Sequence, residues 1–204
     1  MARRTIVFDP PERFVAGTIG QPGNRTFFLQ ARAGSRVVSV ALEKVQVAAL
    51  AERLGRLLFE LEERGIVDFG SDLPSEDVAP LDEPLSEAFR VGTLTLGWDG
   101  DLERILIEAR AMTDDDDENV DIDEEEEQEV DEDAVAAAIQ QLIANDDADG
   151  PDVLQVHLTA IAARAFVERS LRIVRAGRPP CPLCGNPLDP QGHICPRRNG
   201  QYVH

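Results

Sequence analysis

FVAGTIGQPGNRTFFLQARAGSRVVSVAL, Phe14 to Leu42, is the stretch on which the fold turns. Phe27, Leu29 and Ala31 alternate with Phe28, Gln30 and Arg32, the two-residue period of a strand with one buried face. FVAGTIG, Phe14 to Gly20, reads as a strand before it, across the turn-forming QPGN. Gly34-Ser35 predicts a tight hairpin into RVVSVAL, where Val38, Val40 and Leu42 share a face. A helix is expected over Val45 to Arg64, because Val47, Leu50, Leu54, Leu57 and Leu61 recur at three- and four-residue steps. Gly65 is its stop. The order is β-β-β-α.

That order recurs. FRVGTLT, Phe89 to Thr95, matches Phe14 to Gly20 at a shift of 75 residues, and ILIEARA, Ile105 to Ala111, matches FFLQARA at a shift of 78. Val156, Leu158, Glu168, Arg169 and Ile173 match Val40, Leu42, Glu52, Arg53 and Leu57 at a shift of 116. Thr159 is placed to cap the second helix and Gly177 to end it. The expectation is an α+β fold of two tandem β-β-β-α repeats related by a pseudo-twofold. They would form one antiparallel sheet with both helices on one face, plus a zinc-knuckle tail and an acidic disordered hairpin insert. The units are 1–66 and 89–178, joined by a linker at 67–88 and followed by a tail at 179–204.

The insert, 113–151, falls where the first unit makes its Gly34-Ser35 turn. Of 39 acidic residues in the chain, nineteen lie between Met112 and Asp152, where no Lys or Arg occurs; the remaining twenty balance twenty basic residues. Acidity belongs to this segment and not to the fold. Mutual repulsion keeps such a run solvated, and long insertions in hairpin loops cost little closure entropy. Within it, AVAAAIQQLIA, Ala134 to Ala144, places Val135, Ala138, Ile139, Leu142 and Ile143 on one side of a helix. So short a helix is marginal alone, which leaves two destinations, its own domain or a partner.

The chemistry sits in the tail. CPLCGNPLDPQGHICPRRNG, Cys181 to Gly200, holds Cys181, Cys184 and Cys195, the only cysteines, together with His193. C-x2-C-x8-H-x-C supplies four ligands for one tetrahedral structural Zn2+, with no open position for water. Pro182 and Gly185 shape a turn that aims backbone amides at sulfur. A redox Cys-x-x-Cys pair with a spare thiol is the competing assignment. Arg164, Arg169, Arg172, Arg175, Arg178, Arg197 and Arg198 surround the site and suggest a surface for a protein partner or nucleic acid. Against nucleic acid, stacking aromatics are scarce, since Phe166 falls on the helix's core face. Glu43, Lys44 and Gln46, at the first strand-to-helix junction, are a candidate site for a small phosphorylated ligand. His157 alternates with Val156 and Leu158 and reads as structural.

No apolar run approaches the ~20 residues of a membrane helix, and no apolar run follows Arg3 and Arg4, so neither a span nor a secretory signal is expected. Three cysteines confined to one tail argue against a disulfide framework and for a cytoplasmic protein. FDPPERFVAGT, VSVALEK, VGTLTLGWDG and AGRPPCPLCGNPLDPQGHICPRRNG together resemble an actinobacterial conserved-hypothetical family, a domain of unknown function. The resemblance implies no assigned activity. From the residues, the expectation is a zinc-binding, non-enzymatic adaptor or regulator. Nucleic-acid binding is one alternative, and an enzyme or sensor acting near Lys44 is the other.

Overall fold

The hairpin at Gly34 seeds the sheet: Ala33 pairs with Arg36, and Gly34 adopts the positive φ of 58° that the turn needs. The computed structural model describes residues 3–21, 23–69, 76–113, 150–176 and 181–184. Seven strands form one sheet: β1 (Thr5–Phe8), β2 (Arg13–Gln21), β3 (Asn24–Ala33), β4 (Arg36–Leu42), β5 (Glu87–Asp99), β6 (Arg104–Ala111) and β7 (Val153–Leu158). Two helices accompany them, α1 (Lys44–Glu63) and α2 (Ala160–Arg175). The spatial order is β1-β7-β6-β5-β4-β3-β2.

Two of the expected helix-end signals are seen, Gly65 and Thr159. At the end of α1, Ile66 N–H donates to the Leu61 carbonyl and Gly65 N–H to the Glu62 carbonyl, both at 2.9 Å, with Gly65 at φ 69°. This is a Schellman closure. At the start of α2, Thr159 Oγ1 accepts from Ala162 N–H at 3.2 Å. Gly177, the expected stop of α2, lies outside the described residues; the helix ends at Arg175, with Ala176 as its C-cap.

The sheet is mixed, which corrects the expectation of an antiparallel one. Helix α1 carries the chain back to the end from which β4 started, so β5 pairs with β4 in parallel, Ser39 beside Glu87 and Ala41 beside Arg90. The short β1 adds a second parallel seam along β7. Arg4 fastens it by donating from its backbone N–H and its Nε to the Asp152 carboxylate, at 2.9 and 2.8 Å. The third strand of the first β-β-β-α unit abuts the first strand of the second. The six strands of the two units therefore sit side by side in chain order.

The sheet also curls. Strands β1 and β2 occupy opposite edges, yet only 9–12 connect them. Such a link reaches about 17 Å, whereas a flat sheet of this size would hold its edge strands ~29 Å apart. Curvature closes the difference. Arg36, at the start of β4, donates to the Val7 carbonyl at 3.3 Å and lies 4.8 Å above the Phe8 ring. Both side chains project from the helix-bearing face, so the sheet bends toward the helices. That face carries the core: Leu29, Val40, Ile105, Ile107, Leu154 and Val156 pack with Val47, Leu50 and Leu54 of α1 and Phe166 of α2. Each side chain so buried contributes roughly 1.5–3 kcal/mol.

The segment between α1 and β5 is part of this fold. Phe69 is buried in the core beneath Arg164, whose guanidinium lies 5.1 Å from the ring. Farther on, Leu81 lies against Gly17 on the opposite face, and Asp82 exchanges hydrogen bonds with buried Gln30 (2.7 and 3.0 Å). The chain thus wraps around the β2 edge, from the helix side to the far side. A Cβ at Gly17 would stand 2.5 Å from Leu81 Cγ. Gly17→Ala should therefore destabilise the protein by ~1–3 kcal/mol in urea unfolding, through overpacking. The added change Leu81→Ala should cost less in that background than alone; additive costs would mean that Leu81 does not press on Gly17.

Candidate functional site

Cys181 to Cys184 form a turn in which Cys181 is buried and Cys184 half-buried. Leu183 N–H donates to Cys181 Sγ at 3.4 Å, and neither thiol is in a disulfide. An amide aimed at sulfur fits a metal-ligating cysteine. His193 and Cys195, the other two expected ligands, lie outside the described residues. Among the described residues no three His, Cys, Asp or Glu side chains gather around a common point. The pair present suits Zn2+, which would serve there as a structural clasp.

The arginines expected to form one open face are divided by the fold. Arg169 is buried: its Nε donates to the Ala16 carbonyl at 2.8 Å, its Nη1 to Asp77 Oδ1 at 2.8 Å and its Nη2 to the Ala79 carbonyl at 2.8 Å. It holds α2, the β2 edge and the wrapping segment together, and cannot belong to an exposed surface. Arg13 enters the same knot, giving two bonds to the Asp77 carboxylate (2.6 and 3.0 Å) and one to Asp82 (2.7 Å). Arg172 is exposed and bonds Glu76 and the Asp77 carbonyl. Arg164 covers Phe69 and faces Glu168 at 3.6 Å. Arg175 is exposed on the last turn. Arg178, Arg197 and Arg198 lie outside the described residues.

The hydrogen bonds from Arg13 hold the Asp77 carboxyl below the usual carboxylate range, with the nearby charge of Arg169 adding to the effect. Burial pushes Arg169 down, and the bond to Asp77 pushes Arg13 up.

Lys44 is exposed. Glu43 and Gln46 are occupied in a capping box, with Glu43 N–H donating to Gln46 Oε1 at 2.8 Å. Gln46 Nε2 also donates to the Val91 and Gly92 carbonyls (3.2 and 3.1 Å), and Arg90 pairs with Glu43 at 3.4 Å. These bonds tie α1 to β5 and leave the junction without the inward-facing cation that an anionic ligand requires.

One polar cluster lies outside the sequence expectations. Glu108 is fully buried on β6, accepting from Arg110 Nε at 2.6 Å and from Gln155 Nε2 at 2.8 Å. The alternation of Leu106, Glu108 and Arg110 was its only signal. His157 stands on the same face of β7 as Gln155, with Nδ1 buried and making no hydrogen bond.

No described helix is long and apolar enough to cross a membrane. Residues 6–195 match the model of a family described as protein of unknown function (DUF3090). No curated protein matches the chain, and neither does any solved structure.

Asp77→Asn should cost about 2 kcal/mol near neutral pH, because it takes the counter-charge from two mostly buried arginines. A folded pKa below the unfolded one gives stability that is complete above about pH 4 and is lost as the pH falls through the lowered folded value. The gap between wild type and variant should therefore narrow below about pH 4 in urea titrations. A gap constant down to pH 2 would rule out this role for Asp77.

Proposed function

We propose that this chain, which belongs to the DUF3090 family, is a zinc-clasped, non-enzymatic adaptor or regulator that works in the cytoplasm. The Leu183 amide directed at Cys181 Sγ carries this reading, as the local geometry of a metal-binding Cys-x-x-Cys turn. Cys181, Cys184, His193 and Cys195 would hold Zn2+ as a closed structural site, fixing a tail too polar to fix itself by apolar burial. The tail would then form part of a protein-binding surface beside the exposed end of α2.

Tandem duplication of the β-β-β-α unit belongs to the same proposal. Its support is a pair of polar contacts at matching positions, the first buried and the second partly so. Gln30 and Ser39 face each other across β3 and β4 at 3.0 Å, as Glu108 and Gln155 do across β6 and β7 at 2.8 Å. The shifts of 78 and 116 residues carry the first pair onto the second.

Purified full-length chain should carry one zinc by elemental analysis, and Cys181→Ser/Cys184→Ser should abolish it. Zinc binding by peptides of this kind is worth roughly 10–16 kcal/mol, so removal by a chelator should release the tail to proteolysis while the urea midpoint of the sheet holds. A protein captured by the wild type but not by the cysteine variant supports the adaptor role. Substoichiometric zinc, or capture indifferent to it, overturns that role. Exposed Arg175 keeps nucleic acid as the second reading. It requires salt-sensitive RNA or DNA binding that Arg172→Ala/Arg175→Ala abolishes.

A further inference from the structure

A groove of about 870 Å³ runs between α1 and β5. Its floor is apolar: Leu94, Leu96 and Trp98 project from β5 toward the helices and are only partly buried, and Leu57 meets them from α1. Ile66 at the end of the groove is 45% exposed. Arg53, Arg56 and Arg64 line the α1 side, with Glu60 the only carboxylate among the lining residues. A half-covered apolar trough with a basic wall calls for an occupant that is apolar on one side and acidic around it.

We propose that the groove is the docking site of this chain's own acidic insert, with the apolar side of Ala134 to Ala144 laid over Leu94, Leu96 and Trp98. Where the insert starts supports this choice. Met112 N–H donates to the Arg90 carbonyl at 2.8 Å, so the chain enters the insert from the end of β6, beside Arg90 and Val91 of β5. Gln46 binds the Val91 and Gly92 carbonyls and lines the near end of the groove. The outgoing connection is also long enough. Helix α1 is about 30 Å long and an eleven-residue helix about 16 Å, while the twenty residues between Thr113 and Ala134 can reach ~65 Å. Charge complements shape: fifteen of the twenty residues from Asp114 to Asp133 are acidic, and they would lead the apolar side in along Arg53 and Arg56. Val135, Ile139 and Leu142, one helical turn apart, match the spacing of a helix seated in a groove.

Trp98 is the only tryptophan in the chain and lies in the groove, so it reports occupancy directly. The experiment compares its emission maximum and acrylamide quenching in the full-length wild type, Ile139→Asp/Leu142→Asp and Arg53→Glu/Arg56→Glu. Wild type should be blue-shifted and protected. Both variants should shift to the red and quench more steeply with unchanged far-UV circular dichroism, and 1 M salt should weaken the wild-type protection. A synthetic peptide of residues 131–146 should restore protection to the insert variant. Identical Trp98 behaviour in wild type and Ile139→Asp/Leu142→Asp overturns the proposal. Protection that rises with chain concentration also overturns it, assigning the groove to a second copy.

Discussion

The Asp77 carboxylate, held between Arg13 and Arg169, is the interaction on which the rest of the molecule depends. Its two arginines come from the edge strand β2 and from helix α2, and the carboxylate itself belongs to the segment that winds around that edge. An unpaired strand edge exposes backbone groups that must find partners. Here Arg169 satisfies the Ala16 carbonyl on that edge, while Phe166 stacks on Phe14 at 4.8 Å. The polar knot and the aromatic contact stand side by side. The arginines tolerate burial because carbonyls and a carboxylate take up their donors.

The local parts of the fold are legible in the sequence because they rest on short-range physics. Alternation exposes β3 and β4, Gly34 marks their turn, and Gly65 and Thr159 set helix ends by backbone geometry and capping. The parallel seams are not legible, since alternation says which face a residue takes and nothing about which strand lies alongside. β1 has only four residues and gains its identity from β7, nearly 150 positions away. The wrap is hidden for the same reason: Asp77 meets Arg13 and Arg169 across 64 and 92 residues.

For the candidate site, the mixture is sharper. Arginines in a row suggest an open basic face, but Arg169 falls three residues after Phe166 and six after Ala163. Helical spacing alone turns it toward the core with them. A charged residue in a core stripe can be a structural anchor, and the composition of the helix conceals it. The Cys181–Cys184 turn shows the opposite case, since Pro182 marks a tight turn within four consecutive residues and the Leu183 amide is directed at Cys181 Sγ.

Because α2 covers the edge of β2, the first strands of the chain wait for its last described helix. During synthesis, residues 13–42 can form their hairpins long before Arg169 leaves the ribosome. Through that interval the nascent sheet presents a bare border to neighbouring chains. The bare border thus has a specific origin, the order in which the sequence itself is made.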